Sequence, residues 1–248
     1  MSRIASRSAA VALTSAALMG LSALAIPGVA AAEDVNCDPD ATTYSVTGGS
    51  IEWGFKQSFR SYFQTGAQGT WTLSEGVSFK GSERGADGRF AWPISEGAVS
   101  GANNATASGD GSVHFVGHSG ALDTTLSNPT VEITGTSGVL KLDYAGNEFT
   151  MNPNDPAVPI SGTQVVAATF TLPNASVFQT GGQVTVSSNP SVIGDAFVPA
   201  FDSYPSGTQL DPVTVVLDIT APCNGEVGGD DDNGGIFGSL GNLFDFGS

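Results

Sequence analysis

The chain has 248 residues, enough for one large domain or two small ones, and it is strongly acidic: 24 Asp and Glu against 8 Lys and Arg give a net charge of -16. So negative a surface repels phosphate backbones and anionic lipid, which excludes nucleic acid as a partner. Two cysteines and two histidines are thin material for a metal centre built by the protein alone.

At the N-terminus, Arg3 and Arg7 precede an apolar run over residues 9–24, and Ala30-Ala31-Ala32 closes it with small residues. Charged start, apolar middle and small-residue cleavage pattern read as a secretory signal peptide, residues 1–32, cut near Ala32. The expected location is therefore secreted or at the cell envelope. Removing the segment takes both arginines and no acid, so the mature chain is more acidic still. Residues 33–223 are expected to form one domain. Cys37 and Cys223 stand at its two ends, and in an exported protein such a pair reads as one disulfide. For so long a loop the chain-entropy model gives about 5 kcal/mol.

A first strand is predicted over 42–47, broken by Gly48-Gly49. A helix is predicted next, from Ser50 to Phe63, because Ile51, Phe55, Phe59, Tyr62 and Phe63 recur at three- and four-residue spacing. Ser50 suits its N-cap and Glu52 its first turn. Ser58 and Tyr62 lie one turn apart on this helix. Side by side they suit either a ligand site or two satisfied core polar groups.

Short alternating runs follow, over 69–73, 77–80 and 89–92, then a small polar loop over 101–109 and a hairpin-type Asp110-Gly111 turn. Further strands are predicted over 112–116, 121–126, 130–134 and 139–144. After a gap rich in Asn and Pro (147–159) come 163–172, 183–187, 196–201 and the strongly apolar 212–219. The fold class is mainly β: an antiparallel, sandwich-like domain of about ten strands with one or two short helices. Residues 224–248 form a Gly- and Asp-rich flexible tail with a short apolar end over 236–246. That end suits a weak envelope contact and is too short to span a membrane.

No nucleophile elbow, H-E-x-x-H or P-loop occurs, so an enzyme is not expected. C-x-x-C-H is absent too, which excludes covalent attachment of a c-type haem. Of the two histidines, His114 lies inside a strand, whereas His118 sits between Gly117 and Gly120, where the backbone must bend or approach something closely. These residues leave open a ligand-free adhesion or structural β-sandwich. They also leave open a glycan-binding protein using Trp53, Trp71 or Trp92.

The blocks WGFKQSFRSYF (53–63), GSVHFVGHSGALDTTLSNPTVEI (111–133) and YPSGTQLDPV (204–213) resemble the conserved region of the Hta family of haem-transport proteins, the HtaA domain. The resemblance runs from about Tyr44 to Ile219, with the blocks in the family's order. It implies a β-rich domain that binds ferric haem non-covalently, with a helix-borne tyrosine as axial ligand. Carried onto this chain, that ligand is Tyr62, and Ser58, one turn earlier, contacts a propionate. His118 from the G-H-x-G loop supports the ligand, and Tyr204 forms a second wall. An aromatic residue commonly precedes that last tyrosine; here Ser203 stands there, with Phe201 available to substitute. The implied partners are haem, haemoproteins that donate it, and relay or membrane transporter proteins that accept it.

Overall fold

The structure, a computed structural model, describes residues 43–150, 156–176, 178, 182–201 and 203–220. The expected signal peptide, the Cys37–Cys223 pairing and the tail lie outside the described residues. Among the described residues eleven strands appear in chain order: β1 (Thr43–Trp53), β2 (Thr70–Leu73), β3 (Ser78–Lys80), β4 (Arg89–Ser100), β5 (Asn104–Gly109), β6 (Ser112–Gly117), β7 (Leu122–Thr134), β8 (Ser137–Asn147), β9 (Pro159–Thr171), β10 (Gly182–Ile193) and β11 (Gln209–Ile219). One α-helix, α1 (Gln57–Thr65), follows β1, and single 3₁₀ segments cover His118–Gly120 and Asp195–Phe201. Among the described residues no helix is long and apolar enough to cross a membrane.

All pairings are antiparallel, as the alternation of apolar and polar residues predicts. Strands β5, β4, β1, β11, β10, β9, β8 and β7 pair in that order and β7 returns to β5, so the sheet closes around its core. Strand β7 is the branch point. Along one edge it pairs with β8; along the other it pairs first with β6, through Ser127, and then with β5, from Thr130. The change falls at Asn128-Pro129, where Asn128 has a left-handed φ of 51° and Pro129 has no N–H to donate. Strands β6 and β2 thus peel away from the closed circuit and carry the His118 turn to one end of it.

Three local expectations are corrected. The helix starts at Gln57, and β1 runs on through Gly48-Gly49 to Trp53, with a register shift between Val46 and Gly48. The helix begins no earlier because Phe55 is left-handed (φ 58°) and Lys56 is extended. Ser50 therefore caps nothing; its hydroxyl donates to Glu52. Residues 101–109 contain β5, whose Ala105 and Ala107 turn small methyls into the core, too little apolar surface for the sequence pattern to register. Residues 196–201 form a 3₁₀ segment with Pro199 inside it, which cannot donate to a ladder.

Glu52 is 2% exposed and accepts from Ser50, Lys80 and Arg89. Burial pushes its carboxyl up, but these hydrogen bonds outweigh burial and hold its pKa below the ordinary value of 4.5. A lowered pKa contributes stability in full above that ordinary value, and the contribution is lost as pH falls through the lowered one. Glu52→Gln should therefore cost about 2 kcal/mol at pH 7. Urea unfolding at pH 7 and at pH 3.5 checks this: the gap between wild type and variant should narrow at the lower pH.

Candidate functional site

Helix α1 is seated from below by an aromatic cluster and at its start by charge. Phe55, Phe59 and Phe63 are all buried. Phe55 stacks on Phe201 at 4.5 Å, and Phe63 lies parallel to Trp71 at 6.1 Å. The helix has no capping side chain of its own. Asp211, at the start of β11, supplies one instead: its Oδ1 accepts from the Gln57 N–H at 3.0 Å, as a carboxylate at a helix N-terminus should. Arg60, 0% exposed, donates to Asp211 Oδ2 and to the carbonyls of Gly54, Glu83 and Gly85. Gly54 leaves room for that guanidinium, since a Cβ there would lie 2.3 Å from Arg60 Nη1. Register and tilt of the helix are thereby fixed.

The other half of the site comes from the end of β6. His118 and Ser119 both adopt left-handed backbone, φ 50° and 56°, within the 3₁₀ segment. The His118 N–H donates to the Ala67 carbonyl at 2.8 Å, joining this turn to the chain just after α1. Gly117 permits the approach, because a Cβ there would sit 3.0 Å from the Phe63 ring. As a result the Tyr62 hydroxyl and His118 Nε2 are 2.6 Å apart, although 56 residues separate them. Tyr62 is 45% exposed, unusual for a large aromatic side chain among the described residues.

Tyr62 stands at an open pocket of about 280 Å³, lined mainly by Phe59, Leu122, Thr124, Phe149, Phe201 and Tyr204, with Ala200 and Ser203 completing it. No Lys, Arg or His is among these lining residues. Tyr204 is half-buried, and burial raises its phenol pKa; a hydrogen bond with the Ser58 hydroxyl opposes the rise and the neighbouring Tyr62 adds to it. Tyr204 therefore remains a neutral phenol with a donor to offer.

The structure brings all four sequence-predicted residues together: Tyr62 with His118, Ser58 with Tyr204, and Tyr204 beside Tyr62. Phe201 lines the pocket next to the exposed Ser203. Of Phe55, Phe59 and Phe63, Phe59 lines the pocket while the other two serve the core. His114 is apart from this group and pairs with Asp123 at 2.7 Å. Sequence reasoning missed Leu122, Thr124, Ala200 and Phe149. Leu122 and Thr124 carry the inward period of β7, and Phe149 is a lone aromatic in the gap rich in Asn and Pro. Among the described residues no three His, Cys, Asp or Glu side chains gather to hold a metal ion. Trp53 and Trp92 are buried, 0% and 1% exposed, so neither offers a stacking surface to a glycan.

A family model, HtaA, matches residues 48–216. Three solved structures from Corynebacterium glutamicum are similar to the chain. The N-terminal domain of HtaA is 32% identical with a TM-score of 0.60, and its C-terminal domain is 30% identical with a TM-score of 0.60. Each comparison covers 71% of this chain and 99% of the other. The heme-binding protein HtaB is 26% identical with a TM-score of 0.59, over 71% of this chain and 96% of that one. No curated protein sequence matches the chain.

Proposed function

The chain belongs to the HtaA family, and from that premise we propose that it is a secreted or envelope-associated protein that captures or relays ferric haem through Tyr62. The observation that carries this reading is the Tyr62 hydroxyl held 2.6 Å from His118 Nε2 at the mouth of an apolar pocket.

The donor set fits the cargo. An isolated phenol has a pKa near 10 and ligates poorly at neutral pH. Ferric iron favours the phenolate, as it does for the tyrosine ligand of catalase. The His118 imidazole beside the oxygen accepts the phenol proton or orients the phenolate, the role that outer partners play for metal-bound side chains. Tyr204 and Ser58 would offer hydroxyl donors to a propionate. The apolar lining suits the porphyrin edge. The pocket is open on one side, which suits handing the cargo on. A partner that accepts or donates haem meets an exposed rim.

A haemin titration of the mature protein tests the reading. One equivalent should produce a saturable Soret band, and its absence overturns the assignment. His118→Ala should weaken binding about 10- to 100-fold and shift the visible bands without abolishing them. An unchanged spectrum and affinity in that variant would reduce His118 to a structural residue.

A further inference from the structure

We propose that Phe149 is the positioning residue of this site, holding the His118 imidazole on the Tyr62 oxygen while forming one wall of the pocket. The inference rests on the reading of the pocket as a haem site.

The His118 backbone is pinned by two hydrogen bonds, its own N–H to Ala67 and its carbonyl from Ala121. They fix where the ring starts and leave its two side-chain torsions to whatever touches the ring. Two aromatic neighbours do so: Tyr62, with ring centres 5.7 Å apart, and Phe149, at 5.3 Å and tilted by 41°. Tyr62 is itself 45% exposed, so the phenol alone gives the imidazole little support. Phe149 is better anchored than a loop residue two places beyond a strand usually is. The β8–β9 ladder closes at Asn147 and Pro159, and the Glu148 N–H then donates to the Val158 carbonyl at 2.8 Å. The ring leaves that closed end, packs against the core and lines the pocket that Tyr62 faces. One flat side chain thus touches both the supporting imidazole and the ligand cavity.

The arrangement predicts coupling. With Phe149 gone, the imidazole gains other rotamers, and the oxygen it steadies loses a partner without any change at Tyr62 or His118. Phe149→Ala should then mimic His118→Ala in kind and, to a lesser degree, in size.

The test uses the full mature chain. In the ligand-free protein, the His118 imidazole resonances, identified by their absence in His118→Ala, should move in Phe149→Ala and stay near their wild-type positions in Phe149→Tyr, which keeps a flat ring. In the haemin-loaded protein, Phe149→Ala should speed haem loss to excess apomyoglobin about tenfold, as removal of an outer partner does. Its visible bands should shift in the same sense as those of His118→Ala. Adding Phe149→Ala to His118→Ala should then speed haem loss less than about threefold. Unmoved imidazole resonances overturn the proposal. So does a full tenfold effect on the His118→Ala background, which would make Phe149 a wall and nothing more. If the wild type takes up no haemin, the haem reading fails while the imidazole resonances still judge the positioning role.

Discussion

Replacing Tyr62 with phenylalanine should abolish most of the haem Soret band while leaving the fold intact. The change deletes one oxygen atom and keeps the ring that, with Phe59, lines the pocket. What is lost is the only oxygen in the site that an imidazole partners, at 2.6 Å among the described residues. Removing an outer partner costs a metal site about 10- to 100-fold in affinity, and removing the ligand itself should cost more than that. Tyr62→Ala should behave alike, with some further loss from the vacated wall. Because the phenol is 45% exposed, neither variant should change the unfolding midpoint much. Retention of the wild-type spectrum in Tyr62→Phe would sink the ligand assignment, and Tyr204 would then be the phenol to remove next.

The second large effect is expected at Arg60, which is not among the residues lining the Tyr62 pocket. Arg60→Met keeps most of the side-chain volume but leaves the Asp211 carboxylate and the carbonyls of Gly54, Glu83 and Gly85 without their shared donor. Breaking a buried ion pair on one side costs about 3–5 kcal/mol, most of it from the partners left unpaired. Arg60→Lys should rescue little, since a single ammonium cannot reach acceptors arranged for a planar fork. Urea unfolding measures the loss, and a cost below about 1 kcal/mol would show that Asp211 finds another partner. Haem affinity should fall in parallel, because the same guanidinium sets the register of the helix that carries Tyr62 and Ser58. Where Tyr62→Phe separates binding from stability, Arg60→Met should damage both together.

Period-two alternation made most of the strands legible, and it failed where physics outside the local pattern decided. Ile51 looks helical when read with Phe55 and Phe59, yet it belongs to β1. The left-handed Phe55 that separates strand from helix leaves no mark in composition. Strand β5 hid because its core residues are alanines. At the site, Ser58 and Tyr62 were visible from their spacing, and His118 from its flanking glycines. Nothing local joined them; only the resemblance to a family did. Asp211 as a helix cap, at a separation of 154 residues, could not be read from either end. Phe149 was invisible for the opposite reason: a single aromatic in a polar gap has no period at all.

The antiparallel pairing of β1 with β11 has a consequence for how the molecule presents itself. At one end of this pair, Thr220 donates to the Ser45 carbonyl; at the other, the Asp211 N–H donates to Phe55 just before α1. The first and last described residues, Thr43 and Thr220, therefore leave side by side from the end remote from the helix. Eleven residues of strand at about 3.3 Å each set roughly 35 Å between that foot and the head that bears Tyr62. Under the haem reading, a ligand held at Tyr62 lies about a full strand length from the place where both described ends of the domain meet.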